Sequence, residues 1–527
     1  MYIVPQFLKN EAKKLIKCKI SKIITDITDE MIDSIFDCNQ NEKYQKMMLE
    51  IDKISKDAIL KVLKESFTIL DNLYASSADR NKFFNISKPN AHRSIITIFG
   101  ELEFERIYYY DKSNKNKYFY FIDSLFDLPA YDRYDKVVKG MAIANAIDTN
   151  QKKGAEITTK QINNVSSSLN KEEQFIISRQ DIYLWLDKWE VPEVEYDAIE
   201  TDSKTLYIMI DEKYIHEQIK MLIDKENKVN SPIKVEEKTD KEITLEYLKN
   251  FINQISNPPL LLPAPKDKTR NFIMSKAFVA FTDIEINHKR RTLNNKIVFL
   301  TAKKNPWDEF MDFIPKIYDF KQFETIKVLS DAGVWITAGI SNLKLFVENV
   351  IVPCLCEFHA KQKVNRSTKD ENMRRLLIQA IKDNDKEEFN RLFNTLLKDK
   401  SENRLKTLKS YKHYIVSHWE AIQNMGASTC KSSMESHISH IVAKYFSYEP
   451  KAYSGKHIQK LLKLRQHKEN GINICALYLK SIGKKEKVII KKEELSFSMF
   501  ENNSPSNMPV LYSGWSYTSI ALRALVG

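Results

Sequence analysis

Three acidic residues stand where the surrounding pattern predicts buried side chains. Asp211 ends the apolar run LYIMID, Asp331 ends the strand-like run IKVLSD, and Glu435 precedes Ile438 and Val442 by three and seven residues. That last spacing places Glu435 on the apolar face of a helix, pointing inward. An inward carboxylate costs free energy unless it is paired or bound to a cation. Two carboxylates at strand ends and one on a helix therefore predict a site for two hard divalent cations such as Mg²⁺, which take oxygen ligands.

Each of these carboxylates also has a simpler explanation. An aspartate at a strand end is often a turn former, and Asp331 is followed two residues later by Gly333, which we expect to let the chain turn away. Glu435 can pair with a neighbouring lysine or histidine. For each acid taken singly the simpler explanation is preferred, whereas the three acids in this order favour the metal site. A glycosidase-type carboxylate pair accounts for two acids and leaves the third and the basic excess unexplained.

The composition favours a nucleic-acid partner and a reducing compartment. The 527 residues include 82 Lys and Arg against 70 Asp and Glu, and the resulting net charge of +12 favours a polyanionic partner. The six cysteines show no disulfide spacing. No apolar run approaches the ~20 residues that a membrane span needs, and the N-terminal residues lack the pattern of a cleaved signal. The sequence therefore predicts a cytoplasmic protein without membrane contact.

The N-terminal part predicts helices followed by a small β element. Residues 1–90 predict a helical region, because apolar residues recur at steps of three and four in YQKMMLEIDKISKDAILKVLKESFTILDNLY. Residues 91–130 predict the β element, with a turn at Gly100. One face of its second strand would carry alternate residues, namely Leu102, Phe104, Arg106 and Tyr108.

Residues 131–200 predict a helical region whose last helix follows an N-cap at Ser178. Two interpretations of this region remain open. In one it is a helix-turn-helix in which Arg179 and Gln180 face DNA, and in the other it is a plain helical linker. The sequence alone does not separate the two.

Residues 201–365 predict the first part of an α/β core. The stretch TLYIMIDEKYIHEQIKML predicts a hairpin broken at Asp211, and AFVAFTDIEI, KIVFLTA, TIKVLSD and NVIVPCLCEF predict further strands. The charged, proline-bearing residues 224–270 predict an insertion. The remaining regions are a helical insertion at 366–428, the Glu435 helix and core end at 429–470, and a basic C-terminal region at 471–527. The expected fold class is an α/β core with an all-α insertion, preceded by helical and small β regions.

Six motifs between about residues 95 and 470 occur in an order shared with one enzyme family. They are TIFGELEFERIYYY, IDEKYIHEQ, RRTLNNK, SDAGVWI, LCEFHAKQKV and SSMESHISHIVA. The first is similar to a Thr-x-x-Gly…Arg-x-Tyr hairpin. The others match the family's blocks at, among others, Asp211, Glu212, Gln218, Asp331, Trp335, Ile336, Phe358, His359, Glu435, His437 and His440. The chain thus resembles the bacterial insertion-sequence transposases of the ISLre type, relatives of the mutator-like DDE enzymes.

The resemblance implies a fold, a reaction and partners. The core would be RNase H-like, with the helical insertion placed before the glutamate. Asp211, Asp331 and Glu435 would hold two Mg²⁺ or Mn²⁺ ions, and His359 would either lie near them or only end the fifth strand. The reaction would cut and join double-stranded DNA, at element ends and target, by two-metal phosphoryl transfer. Because two ends must be brought together, the active complex would be at least a dimer, associated with the nucleoid.

The chain also departs from the family pattern. Cys356 stands where the family has an aspartate, and Tyr445, Glu449 and Tyr453 replace two arginines and a tryptophan. Losing cations weakens contacts to a phosphodiester backbone. DNA contacts would then depend on other cations, namely Lys444, Lys451, Lys456 and Arg465, and His437 and His440 are also predicted to contact DNA. A zinc site at the two histidines is disfavoured, since helical zinc pairs usually lie four residues apart. The alternative function is a DNA-binding remnant or regulator with a degenerate catalytic core.

Overall fold

The computed structural model describes residues 6–37, 43–114, 116–163, 175–217, 261–263, 271–287, 290–398, 401–426, 439–446, 453–482 and 489–491. Two compact units divide the chain. Unit 1 comprises Met1–Pro192, Asn473–Val488 and Glu494–Gly527, and unit 2 comprises Glu193–Ile472 and Ile489–Glu493. The fold is mixed α/β, as the sequence predicts.

The described strands are β1 Phe84–Thr97, β2 Gly100–Asp111, β3 Tyr118–Tyr120, β4 Glu193–Glu195, β5 Thr205–Glu217, β6 Leu261–Pro263, β7 Asn271–Phe281, β8 Asp283–Asn287, β9 Arg290–Asn294, β10 Ile297–Thr301, β11 Thr325–Ser330, β12 Val350–Leu355 and β13 Ile489–Lys491.

The described helices are α1 Gln6–Asp37, α2 Lys43–Ser76, α3 Ala78–Phe83, α4 Phe121–Leu125, α5 Lys136–Asp148, α6 Gln151–Ile162, α7 Arg179–Lys188, α8 Pro306–Phe313, α9 Val334–Phe346, α10 Glu357–Ser367, α11 Glu371–Lys382, α12 Lys386–Leu396, α13 Glu402–Ser417, α14 Trp419–Gly426, α15 Lys444–Phe446, α16 Gly455–Glu469 and α17 Ile474–Ser481. Short 3-10 turns cover Ile314–Lys316 and Phe320–Gln322, and a π-helical turn covers Ser439–Ala443. Within the described ranges, no helix is both long enough and apolar enough to cross a membrane.

Unit 1 contains an antiparallel sheet in the order β1-β2-β3, packed against α2. The predicted alternation along β2 holds for Leu102 and Phe104, which are buried. It is wrong beyond Arg106, because Ile107 and Tyr109 are buried there. The β1–β2 register shifts opposite this point, and the Ile107 amide donates to the Asp71 carboxylate on α2 at 2.6 Å. The helix contact therefore resets the face that the strand buries.

Asp71 makes the stability of the protein depend on pH. The side chain is 2% exposed and accepts hydrogen bonds from the Ile107 amide and from the Tyr109 hydroxyl at 3.0 Å. Burial raises the pKa of Asp71 from 3.8 to about 6. Between these values the native state holds a proton that the unfolded chain releases, so this contribution to stability falls as pH rises through the window.

We therefore expect Asp71→Asn to remove part of the pH dependence of unfolding. Between pH 4 and 7, the wild-type free energy of unfolding should fall by about 3 kcal/mol relative to Asp71→Asn, at ~1.4 kcal/mol for each pKa unit. Urea denaturation of both proteins across this range measures the difference. Asp57→Asn, an exposed change on the same helix, is the control and should track the wild type. A constant difference between wild type and Asp71→Asn would contradict this account.

The helix predicted after an N-cap at Ser178 is confirmed. It is α7, and Ser178 is its N-cap, with a capping box in which Ser178 and Asp181 bond to each other's backbone amides. Before it, α6 ends at Ile162, and residues 164–174 lie outside the described part of the chain. Arg179 and Gln180 occupy the first turn of α7, and both are exposed.

Unit 2 is built on a mixed sheet in the order β10-β7-β5-β11-β12, with β6 added beside β7. Strands β5, β7 and β10 are antiparallel neighbours, whereas β11 runs parallel to both β5 and β12. Numbered along the chain, these five main strands lie in the order 3-2-1-4-5. The central strand β5 is buried on both faces, because Leu206, Ile208, Met209 and Ile210 are all fully buried.

The predicted hairpin around Asp211 is wrong where the structure describes it. Thr205–Glu217 forms one continuous strand, paired with β7 from Tyr207↔Phe281 to Glu217↔Asn271. The acidic residues lie within the strand and not at its end, because β5 stays paired with β7 beyond the last residue at which it pairs with β11. The predicted insertion at 224–270 lies outside the described residues, except for β6.

Helices follow the last strand of the sheet. Helices α11 to α14 lie within the helical insertion predicted over 366–428, and the helical run begins earlier, at α10. They enclose a core of their own with fully buried residues, namely Val364, Leu377, Phe389, Phe393 and Ile415. The half-buried Ala332 and Tyr414 pack against this cluster. The helical core therefore reaches the segment that follows β11.

Candidate active site

Asp211 and Asp331 lie at the same level of the sheet. Strands β5 and β11 pair in parallel up to Leu329↔Met209, and two further residues along the same register bring Asp331 level with Asp211. Adjacent strands lie about 4.8 Å apart, so the backbones of the two aspartates are neighbours at this point of the sheet. Asp211 is 8% exposed and Asp331 is half-buried. This placement brings together two acids that are 120 residues apart in the sequence.

A short turn holds Asp331. The left-handed residue of the turn is Ala332, with a φ of 60°, and its amide donates to the Ser330 hydroxyl at 3.1 Å. Gly333, which we expected to provide the turn, has an ordinary φ of −55°, so that expectation is wrong. The Gly333 amide donates to Asp331 Oδ1 at 3.0 Å, and the Tyr414 hydroxyl donates to the Asp331 carbonyl at 2.6 Å. A side chain of the helical core thus stabilises the backbone of this turn.

Cys356 lies level with Asp331, and His359 follows it in the next helix. Ser330 pairs with Leu355, so the next residue, Cys356, is level with Asp331, and its amide donates to the Ser330 carbonyl at 2.8 Å. Cys356 is buried and is the N-cap of α10, while His359 is in the first turn of that helix. A hydrogen bond to Cys356 raises the pKa of His359, and the negative charges of Asp331 and Asp211 raise it further. The charges of both aspartates therefore reach His359, which lies in the same region of unit 2.

A second group of side chains connects β5, β7 and α9. Glu212 accepts hydrogen bonds from Trp335 Nε1 at 2.5 Å and from the Tyr214 hydroxyl at 3.2 Å. The Trp335 carbonyl accepts from Trp307 Nε1 at 3.2 Å. Lys276, 1% exposed, lies with Nζ 5.4 Å from the centre of the Trp335 ring and donates to the Lys303 and Lys304 carbonyls. Burial lowers the pKa of Lys276 to about 8.

The donor set near Asp211 and Asp331 fits a hard divalent cation only in part. Carboxylate oxygens are the ligands that Mg²⁺ and Mn²⁺ prefer, and Mg²⁺ keeps several sites for water and substrate oxygens. Across the described ranges, no three His, Cys, Asp or Glu side chains are grouped closely enough to hold an ion. The third predicted ligand, Glu435, lies outside the described residues. The two aspartates are thus compatible with the predicted site and would need a further ligand.

The residues predicted to contact DNA differ in their exposure to solvent. His440 and Lys444 are exposed on the π-helical turn and on α15, whereas His437 and the Lys456 side chain lie outside the described part. Arg465 is buried, with its guanidinium 3.5 Å from the centre of the Tyr445 ring and bonded to Glu469 at 2.5 Å. The Arg465 guanidinium is therefore already engaged by contacts inside unit 2.

Several neighbours of the site were not anticipated from the sequence. Lys276 was a detectable signal, because it interrupts the apolar strand around AFVAF. Glu212 was among the positions that match the family motif, and only its hydrogen bond to Trp335 was not anticipated. Tyr414 gives no such signal, since an ordinary amphipathic helix accounts for it and its bond to Asp331 spans 83 residues.

Comparison with known proteins places the chain in a family. The sequence pattern of the uncharacterised protein family UPF0236 matches residues 38–256 and 272–481. A UPF0236 protein of Caldanaerobacter subterraneus subsp. tengcongensis is 24% identical over 425 residues, which cover 80% of this chain and 76% of that protein. Another from the same organism is 23% identical with the same coverage, and its name joins eleven gene designations. The chain belongs to the UPF0236 family.

Proposed function

We propose that the chain is the transposase of a bacterial insertion sequence, which cuts and joins element-end DNA with a DDE-type site. The observation that carries this proposal is the level placement of Asp211, on β5, and Asp331, directly after the parallel neighbour β11. The net charge of +12 supports a polyanionic substrate. The relative whose name joins eleven gene designations supports a mobile element, because an element that copies or moves itself leaves several copies of its gene.

The sheet of unit 2 supports an RNase H-like core. Its main strands lie in the order 3-2-1-4-5, with the first three antiparallel and the last two parallel to the first. The first aspartate is on strand 1 and the second follows strand 4. Helices α10 to α14 then come between strand 5 and Glu435. This arrangement is what the proposed helical insertion before the glutamate requires.

In this proposal Asp211, Asp331 and Glu435 hold two Mg²⁺ or Mn²⁺ ions. Ions held there would supply Lewis-acid chemistry to an in-line displacement at phosphorus, at the attacking water or 3′-hydroxyl and at the leaving 3′-oxygen. The chain itself holds the carboxylates in place. The Glu212 amide donates to Asp211 Oδ1 at 2.7 Å and the Gly333 amide donates to Asp331 Oδ1, so each aspartate has one oxygen oriented by the backbone. Two copies would act together, one for each element end.

Strand cleavage of the DNA that flanks the gene tests the proposal. Purified protein is incubated with end-labelled duplexes carrying the sequences on either side of its gene. With Mg²⁺ or Mn²⁺ we expect a nick at one defined phosphodiester that leaves a 3′-hydroxyl. With Ca²⁺, which is larger and takes more ligands, we expect binding without cleavage. A scrambled duplex of equal length is the control and should remain intact.

The runner-up function is a DNA-binding protein with a degenerate catalytic core. The observation that favours it is Cys356, a buried thiol level with Asp331, where the transposases that the sequence resembles have an aspartate. The same incubation separates the two functions. Flanking DNA that is bound with sequence preference but remains uncut in Mg²⁺ and in Mn²⁺ would replace the transposase with this alternative.

A further inference from the structure

Trp335 connects the strand that carries Asp211 with the segment that follows Asp331. Its indole N–H donates to Glu212, the residue next to Asp211, and Trp335 itself lies four residues after Asp331. The hydrogen bond therefore connects β5, next to Asp211, with the start of α9, which follows the Asp331 turn. Glu212 is held in turn by the Tyr214 hydroxyl, so both carboxylate oxygens of Glu212 are engaged.

The Trp335 side chain is fixed on its other sides as well. The ammonium of the buried Lys276 lies over the indole face, where the ring quadrupole attracts a cation. That ammonium is fastened by two backbone carbonyls, those of Lys303 and Lys304, at 2.6 and 3.0 Å. The ring of Phe278 meets the indole edge-on, with centroids 6.0 Å apart. These contacts leave the indole little freedom to turn away from Glu212.

We propose that Glu212, Trp335 and Lys276 form a clamp that holds Asp211 and Asp331 at their working separation before any metal ion is bound. The proposal rests on the proposed function, since it assumes that the two aspartates bind metal. All three are positioning residues, because the described contacts reach the aspartates through the backbone and not through the reacting groups. Preorganised carboxylates bind a cation more tightly, since the cost of ordering them is already met in the free protein.

Metal affinity provides the first test. Trp335→Phe keeps an aromatic ring under Lys276 and removes the N–H that Glu212 accepts. We expect it to weaken Mn²⁺ binding by about 10-fold, the lower end of the effect of outer-shell partners on metal sites. Glu212→Gln keeps an acceptor for the indole and should bind Mn²⁺ within about threefold of the wild type. Electron paramagnetic resonance of free Mn²⁺ in a titration of the full chain measures both.

A matched variant controls for the loss of any indole hydrogen bond. Trp419 lies in the helical core and donates from Nε1 to Asn384 at 2.7 Å. Trp419→Phe therefore removes an equivalent bond away from the clamp, and we expect wild-type Mn²⁺ affinity. Weakening by Trp419→Phe equal to that by Trp335→Phe would show that the clamp is not specific, and would overturn the proposal.

Hydrogen exchange provides a readout that needs no metal. If the clamp orders the Asp331 turn in the free protein, the Ala332 and Gly333 amides should exchange about 10-fold faster in Trp335→Phe than in the wild type. Unchanged exchange would overturn the clamp. Asp331→Asn separates the clamp from the proposed function. If Asp331→Asn loses Mn²⁺ binding while Trp335→Phe keeps it, only the clamp fails; if Asp331→Asn binds Mn²⁺ like the wild type, the metal site itself is wrong.

Discussion

Asp331→Asn should abolish Mg²⁺-dependent nicking of the flanking DNA, with a rate at least about 10³-fold below that of the wild type. The substitution removes a negative charge that would neutralise metal ions at the reacting phosphodiester. Losing one preorganised electrostatic group at a reacting centre already costs ~10²–10³ in rate. Asparagine keeps an oxygen for the Gly333 amide, and the Tyr414 bond to the backbone carbonyl does not involve the side chain. The turn should therefore remain folded.

Two further measurements decide how an inactive Asp331→Asn protein is interpreted. Its DNA affinity in Ca²⁺ and its thermal unfolding should match those of the wild type, which would assign the loss to chemistry. Asp312→Asn changes an exposed carboxylate on α8 in the same unit and should nick at the wild-type rate. Equal nicking by wild type and Asp331→Asn would remove Asp331 from the catalytic site.

Gly339→Ala should destabilise unit 2 by about 4 kcal/mol. A Cβ atom at Gly339, on α9, would lie 1.8 Å from Trp307 Nε1 and 2.0 Å from Trp307 Cε2. The 7% exposed Trp307 would have to leave its place and give up its bond to the Trp335 carbonyl. Displacing a buried tryptophan resembles truncating one, which costs ~3–5 kcal/mol. The better helix propensity of alanine offsets at most about 1 kcal/mol.

Urea denaturation of the full chain measures this effect, and Gly333→Ala is its matched control. Gly333 has an ordinary φ of −55°, and the nearest atom to an added Cβ is 3.4 Å away. A Gly→Ala change at a compatible position alters stability by only ~0.4–1 kcal/mol, in the stabilising direction. If Gly339→Ala proved as mild as Gly333→Ala, the packing of Trp307 against α9 would be wrong.

The two aspartates were recognisable from the sequence because their signal is local. A charge placed directly after an apolar run can be recognised from about six consecutive residues. The strands around Asp331 can be recognised from equally short stretches. The local sequence could not predict that the two acids lie at one level of the sheet, because this placement depends on the parallel register between β5 and β11. The same holds for Tyr414, whose bond to the Asp331 carbonyl comes from a separate helical core.

The errors in the sequence-based expectations have physical causes of the same kind. The face of β2 changes after Arg106 because Asp71, 36 residues away, captures the Ile107 amide. The chain at Asp211, where a hairpin was expected, is a continuous strand, because β5 pairs with β7 along the whole described length of β7. In the turn after β11 the positive φ lies at Ala332, because contacts of the neighbouring residues hold the backbone there. Gly333 is the residue that would tolerate a positive φ most easily. In each case a non-local contact outweighs a local preference.

The central claim is that Asp211 and Asp331 bind a divalent cation together, and iron-directed cleavage of the polypeptide tests it most directly. Fe²⁺ in place of Mg²⁺, with ascorbate and peroxide, generates radicals that cut the chain next to the bound ion. The account predicts cuts close to residues 211 and 331, with a third near Glu435, all suppressed by excess Mg²⁺ and lost in the Asp211→Asn, Asp331→Asn double variant. Cuts elsewhere, or the same cuts in the double variant, would contradict it.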